Sequence, residues 1–219
     1  MTDNAGQRAL IVAGGWLPHR PLEVAEIIAR ELQLDGIESE TVESLEALTD
    51  RARLEAVDLV VLNWHMGVEE VQTRVDMTPL LDAVAGGIGL AGIHAGLGDA
   101  FRLEVEFQFM VGGQWVAHPG DDGVTYTVRI ADRSHPITSG VDDFEVTSEK
   151  YYMHFDPVVQ VLATTDFDEV TMPIAWTKSW GRGRVFYSSL GHTPQIVEMP
   201  PALRLMRQGM RWAAAGRAG

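Results

Sequence analysis

Seven histidines and no cysteine set the chemistry open to this 219-residue chain. Without a thiol there is no thiolate nucleophile and no disulfide framework, so imidazole and carboxylate must carry any acid–base or ligand work. Four histidines follow apolar runs that read as buried strands: His19 soon after 9–13, His65 after 57–62, His94 directly after 88–93, and His192 after 184–188. Open parallel sheets bind ligands beyond the carboxyl ends of their strands, so these four are expected at one edge. The sharpest local signal is Gly92-Ile93-His94-Ala95-Gly96. Small residues around a functional one suit a strained strand-to-helix turn that presents its central side chain to a site. A helix N-terminus there would disfavour imidazolium, leaving His94 neutral and fit to be a ligand, a base or a hydrogen-bonding electrophile. Glu149, in a stretch of mixed polarity beside Lys150 and Tyr151, is the candidate acid or base. Such a carboxylate can orient an imidazole, share its proton or join it on a metal. No His-Glu-x-x-His spacing is present, so a metal site would rest on tertiary convergence of His19, His94, His118 or His192 around a zinc-type ion. His135, before Pro136, reads as a turn residue, and His154 is ambiguous.

The elements that must position these groups alternate. Strands are expected at 9–13, 37–42, 57–62 and 88–93, with helices at 21–34 and 78–84 between them. Leu22, Ala25, Ile28, Ala29 and Leu32 recur at helical spacing, and Gly36 supplies a stop. This alternation predicts an α/β fold with a doubly wound, mostly parallel sheet and helices on both faces. In the second half 124–130 alternates as a half-exposed strand. Further strands are expected at 158–163, 173–177 and 184–188, with a Gly181-Arg182-Gly183 hairpin turn between the last two. A helix at 201–214, with Leu203, Met206, Met210 and Ala213 inward, closes the chain. No linker or repeat breaks 1–219, which reads as one domain.

Composition narrows the partners. The formal net charge is −14, with 31 acidic against 17 basic residues. Such a surface repels phosphate backbones and anionic lipid, which argues against nucleic acid and membrane. The polar start, 1–8, lacks a signal-peptide pattern, and no apolar run reaches membrane-spanning length, so a cytoplasmic location is expected. Gly14-Gly15 lacks the Gly-x-Gly-x-x-Gly dinucleotide spacing. A small-molecule substrate is the expected partner, and self-association is left open.

Taken together, several short segments resemble the ThuA-like, trehalose-utilisation family of the class I glutamine amidotransferase-like superfamily, whose fold is flavodoxin-like. They are Gly14-Gly15-Trp16 with His19, Thr78-Pro79-Leu80-Leu81, Gly92-Ile93-His94-Ala95, Val111-Gly112-Gly113-Gln114-Trp115 with His118-Pro119, His135-Pro136-Ile137, Ser148-Glu149-Lys150-Tyr151, Met172-Pro173-Ile174-Ala175-Trp176 and Leu190-Gly191-His192. Each is short, but their number and order cover nearly the whole chain. The resemblance implies that His94 stands where amidotransferases carry their cysteine, and that His192 matches their catalytic histidine. Pro194 stands where their glutamate would follow, so the thioester route has no nucleophile here. The family often has histidine at the position of Trp16 and aspartate at that of Ser148, departures that weaken a metal site.

The resemblance implies an enzyme acting on a disaccharide or keto-sugar, with His94, His192 and Glu149 as its acid–base set. His19, Trp16, His65, Trp115, His118 and Tyr151 are the expected substrate-binding residues. Trp64 joins Trp16, Trp115 and Tyr151 as an aromatic on which a sugar ring could stack. Hydrolase, lyase and isomerase chemistry all remain open, as do a zinc-type metal-dependent reaction and a non-catalytic sugar-binding role.

Overall fold

The computed structural model describes residues 6–66 and 74–218. The predicted glycine end of the third strand, Gly67, and most of the polar N-terminal start lie outside the described residues. Five parallel strands form one side of a nine-stranded sheet: β1 (Arg8–Gly15), β2 (Glu38–Val42), β3 (Leu59–His65), β4 (Gly89–Ile93) and β11 (Gly183–Ser188). The sheet order is β2-β1-β3-β4-β11-β10-β9-β6-β7, where β6 is Val124–Ile130, β7 Phe144–Ser148, β9 Gln160–Phe167 and β10 Val170–Trp180. The last four strands run antiparallel to their neighbours, and β10 returns into β11 through Gly181-Arg182 as the hairpin reading expected.

The continuous apolar run of β1 follows from its being covered on both sides. Ala9, Ile11 and Ala13 face one core, with α1 (Pro21–Leu34) and α7 (Pro200–Ala214). Leu10 and Val12 face the other, with α2 (Arg51–Glu55), α3 (Thr78–Ala85) and α5 (Val105–Val111). In α7 the buried residues Ala202, Leu205, Met206, Gly209, Met210 and Ala213 fall at helical spacing, one apolar stripe against the sheet. Leu203 packs only at its margin, and Leu22 of α1 is exposed, so each inward face is rotated slightly from the expected one. The Asp76 side chain accepts at 3.0 Å from the N–H of Thr78, the first residue of α3.

The expected strand β6 holds, with Tyr126, Val128 and Ile130 buried. The antiparallel half also contains elements the pattern reading missed, among them β7 and a separate pair, β5 (Gly113–Ala117) with β8 (Tyr152–Phe155). These strands are short and largely exposed, so they lack the apolar run that marks a buried strand. No helix among the described residues is long and apolar enough to cross a membrane.

Candidate active site

β1, β3, β4 and β11 are neighbours in the sheet, and their carboxyl ends meet. Beyond β1 the chain makes a single turn, Leu17–His19. Gly15 permits this departure: its φ is +81°, and a Cβ there would lie 1.9 Å from the His65 carbonyl oxygen. The same oxygen accepts the Trp16 N–H at 2.8 Å, tying the loop to the end of β3.

After β4 comes the elbow. His94 has φ 51° and ψ −140°, a conformation that costs a residue with a Cβ roughly 1–3 kcal/mol. Its neighbours over-determine it. Its N–H donates to Ser188 O at 2.7 Å, and its carbonyl accepts from the Gly98 N–H at 3.0 Å and the Tyr187 hydroxyl at 3.1 Å. Gly96 is needed because a Cβ there would lie 2.8 Å from Cα of Asn63. The helix that follows, α4 (Ala95–Gly98), has four residues and so little macrodipole. The expected reason for a neutral His94 is therefore corrected: burial lowers its pKa first, against the pull of Glu149.

Glu149 comes from the other half of the sheet, in the loop between β7 and β8. Its backbone carbonyl accepts from the buried Tyr126 hydroxyl at 3.1 Å. One carboxylate oxygen, Oε2, lies 3.1 Å from His94 Nε2, and the other, Oε1, lies 3.3 Å from His192 Nδ1. The two ring nitrogens are 3.3 Å apart. The Tyr151 hydroxyl completes the group, 2.8 Å from His94 Nε2, with its ring stacked on the imidazole.

Acceptors and donors fix several proton positions. The Ser189 carbonyl, 3.0 Å from His94 Nδ1, can only accept, so Nδ1 carries the proton and Nε2 a lone pair. Asn63 donates its Nδ2 to Pro21 O at 2.8 Å, which turns its Oδ1 towards His65 Nε2, also at 2.8 Å. His65 therefore donates from Nε2 and accepts at Nδ1 from His19 Nδ1, 2.9 Å away. His19 is left with a lone pair on Nε2, a buried atom that no protein group satisfies.

Burial, and then the other imidazoles, push the His19 imidazolium down to about 3. His65 moves the same way, again by burial first. For Glu149 burial works towards a neutral acid, but hydrogen bonds from His192 and His94 outweigh it and hold the carboxyl below its usual range. These directions conflict at His94, which cannot be neutral at Nε2 and also donate there. We take His94 as neutral and His192 as the donor to Glu149, because the Ser189 carbonyl already fixes the His94 proton. Burial keeps the Tyr151 hydroxyl protonated, able to donate towards Nε2.

His19, His94 and His192 thus come together, as the strand ends implied, Glu149 joins them from the other half of the sheet, and each offers one ligand atom within 4.8 Å of the others. His118 does not join them. Its ring lies 6.0 Å from that of Tyr151 and 5.3 Å from that of Trp115, so it is corrected from metal candidate to outer wall. His65 stands behind His19 with both ring nitrogens spent, Nδ1 on His19 and Nε2 on Asn63, so it supports the site rather than meeting a substrate. Tyr151 is buried, and its stacking face is taken by His94. Arg102 covers one face of Trp115 at 4.3 Å, and Trp64 packs against Gly14. Trp16 is the aromatic still open to a ligand, 42% exposed and edge-on to His19. His135 is structural as expected, its Nδ1 accepting from the Ile137 N–H, and His154 faces solvent. Sequence reasoning missed Asn63 and the Ser189 carbonyl. Asn63 left a faint signal as the polar residue ending an apolar run, whereas a backbone oxygen leaves none. A cavity of about 200 Å³ lined by Arg51, Pro79, Asp82 and Ile88 lies at the amino edge of the sheet, away from this chemistry.

The profile of the trehalose-utilisation family, ThuA, matches residues 8–213. The chain belongs to the ThuA family. A putative ThuA-like protein from Bacteroides uniformis superimposes with a TM-score of 0.72 at 16% identity, covering 97% of this chain and 93% of that one. A glutamine amidotransferase from Thermotoga maritima superimposes at 0.52 with 14% identity, over 97% and 94% of the two chains. A β-galactosidase from Bacillus circulans contains the same fold: the match, at 0.58 and 13% identity, spans 99% of this chain but 31% of that one. At these identities the likeness is one of fold. No curated protein matches the chain in sequence. Within the family's amidotransferase-like fold, this member has histidine at the elbow.

Proposed function

We propose that this ThuA family member is a carbohydrate-processing enzyme that acts on a disaccharide or keto-sugar by proton transfer through His94, Glu149 and His192. The observation that carries the reading is the placement of one carboxylate between two imidazoles, one oxygen to each, at 3.1 and 3.3 Å. An ionised carboxylate this buried is costly without partners, and three histidines at one point have no packing rationale that apolar residues would not serve better. In such a set His94 Nε2 is an available base, and His192, held by Glu149, is an available acid. Proton abstraction beside a sugar carbonyl, or elimination at a glycosidic carbon, needs this pair. His192 is the member most open to solvent, its side chain 16% exposed against 10% for Glu149, so substrate reaches the set from its side. Trp16, next to that opening, offers an apolar face for a sugar ring.

The test is turnover of keto-disaccharides and of unoxidised trehalose by wild type, Glu149→Gln and His192→Gln. Loss of about 10²–10⁴-fold in kcat for both variants, with unchanged melting, supports the reading. Turnover equal to wild type in either variant overturns it, as does a wild type that binds these sugars and turns over none of them.

A further inference from the structure

Resting on that site but going beyond its acid–base reading, we propose that His19, His94, His192 and Glu149 hold one divalent cation of the zinc class. The argument is the direction of the lone pairs. His94 Nε2 is a lone pair because Nδ1 is spent on the Ser189 carbonyl at 3.0 Å. His19 Nε2 is a lone pair because the chain from Pro21 O through Asn63 and His65 puts the His19 proton on Nδ1, each link 2.8 to 2.9 Å long. Glu149 adds a carboxylate, whose Oε2 lies 3.1 Å from the same His94 nitrogen. Together they gather two imidazole lone pairs and a carboxylate at one buried point, a set that a positive centre would stabilise.

The spacing fits such a centre. Ligands about 2.1 Å from a tetrahedral zinc ion lie about 3.4 Å from each other. His94 Nε2 lies 3.3 Å from His192 Nδ1 and 3.1 Å from Glu149 Oε2, Glu149 Oε1 lies 3.3 Å from His192 Nδ1, and the four residues' ligand atoms lie within 4.8 Å of one another. Binding would displace the proton that His192 Nδ1 gives Glu149 in the metal-free chain. His19 Nε2 supplies the independent observation: the residue is 7% exposed, and this nitrogen has no hydrogen-bond partner. A buried imidazole nitrogen left unsatisfied is costly, and a cation removes the cost. Three imidazoles and one carboxylate suit a borderline ion such as Zn²⁺ or Co²⁺ rather than Mg²⁺ or Ca²⁺, which prefer all-oxygen shells.

The two carbonyl-anchored relays also have the form of outer-shell support, in which the second nitrogen of a ligating histidine is held by a carbonyl or another polar group. Asn63 is thereby a positioning residue: it touches no ligand atom, yet it decides which nitrogen His19 presents. A bound cation would polarise a sugar carbonyl or hydroxyl entering past His192, on the side where the cluster is exposed.

The experiment loads the full chain, stripped with a chelator, with Co²⁺ and Zn²⁺ separately. Binding is followed by titration calorimetry and by the visible absorption of the cobalt form. One equivalent of Co²⁺ with the intense bands of a four- or five-coordinate site is expected, displaced by Zn²⁺. His192→Gln should weaken binding at least tenfold and change the spectrum. Asn63→Ala should leave the fold intact and weaken Zn²⁺ about 10–100-fold, the usual effect of losing outer-shell support. Absence of stoichiometric binding by wild type overturns the site, and so does binding unchanged in both His192→Gln and His19→Gln. Sugar turnover by a chain that binds neither cation stoichiometrically would sink the metal site and leave the acid–base reading standing. Tight cobalt binding without turnover of any sugar would do the reverse.

Discussion

The Tyr151 hydroxyl lies 2.8 Å from Nε2 of His94, and the two rings stack with their centroids 4.4 Å apart. Tyr151 was expected to meet a sugar; instead it meets the elbow histidine and fixes both its position and its hydrogen bonding. Its own ring is 2% exposed, held between His94 on one side and the wall of Trp115 and His118 on the other.

Tyr151→Phe therefore removes one donor and almost no volume. A hydrogen bond involving a group that becomes charged is worth about 1.5–3 kcal/mol, which corresponds to about 10- to 10²-fold in kcat. The melting temperature should stay within a few degrees of wild type, because the stacking and burial are retained. Full activity in this variant would show that the hydroxyl only fills space.

Stability should depend on pH through the buried imidazoles. In the metal-free fold His19 is pushed to about 3, whereas in the unfolded chain it titrates near 6.5. Below pH 6.5 the unfolded chain takes up a proton that the folded chain refuses, so stability present above 6.5 drains away as pH falls towards 3. His65 acts in the same direction. Asp99 opposes them, since burial raises its carboxyl to about 6 despite Arg102, and its contribution grows as pH falls through about 6 towards 3.8. For a chain of this size each kcal/mol moves the melting temperature by about 2–4 °C. Melts from pH 8 to 4 should thus fall less steeply for His19→Gln than for wild type; equal slopes would remove His19 as a source of the acid sensitivity.

The chain should release no ammonia from glutamine at any enzyme concentration. The resemblance puts His94 at the elbow where an amidotransferase carries its cysteine, and no cysteine exists anywhere in the chain to replace it. A shared fold with the Thermotoga maritima amidotransferase does not supply the missing sulfur. Glutamine hydrolysis that disappears in His94→Ala would mean that imidazole can do this chemistry here, and would reverse the assignment.

How far the site could be read from the sequence depended on which half of the sheet carried each part. His19, His65, His94 and His192 follow strands or turns whose apolar runs are unmistakable because both sheet faces are covered. Glu149 was legible only as a carboxylate in a mixed stretch, since the short strands flanking it, β7 and β8, are mostly solvent-facing and carry little pattern. Roles within the cluster were less legible than membership. His65 and His19 look equivalent in sequence, yet a 2.9 Å contact makes one the support of the other. That difference depends on the Asn63 amide and on the Pro21 and Ser189 carbonyls, whose effect exists only once the chain has folded. The four-residue length of α4 was equally hidden, because Ala95 to Gly98 has no periodicity to mark where a helix stops.

Gly96 tests whether the elbow and the histidine support are one mechanical unit. It sits in the first turn after His94, where a Cβ would lie 2.8 Å from Cα and 3.1 Å from Oδ1 of Asn63. Most of that contact is with backbone, which cannot swing away as a flexible side chain could. Gly96→Ala should therefore push α4 off β3 or tilt the Asn63 amide, at a cost of about 1–3 kcal/mol, the usual range for overpacking. Because Asn63 sets the His65 tautomer, the same substitution should also disturb the His19 ring, visible as a shift of its imidazole resonances by NMR. Gly123 provides the control: a Cβ there meets nothing within 4 Å. Gly123→Ala should change stability by no more than about 0.5 kcal/mol, as substitutions at exposed sites generally do. Urea denaturation of the two variants beside wild type gives the comparison. If Gly96→Ala is as stable as Gly123→Ala and its histidine resonances do not move, the elbow and the Asn63–His65–His19 relay are mechanically independent.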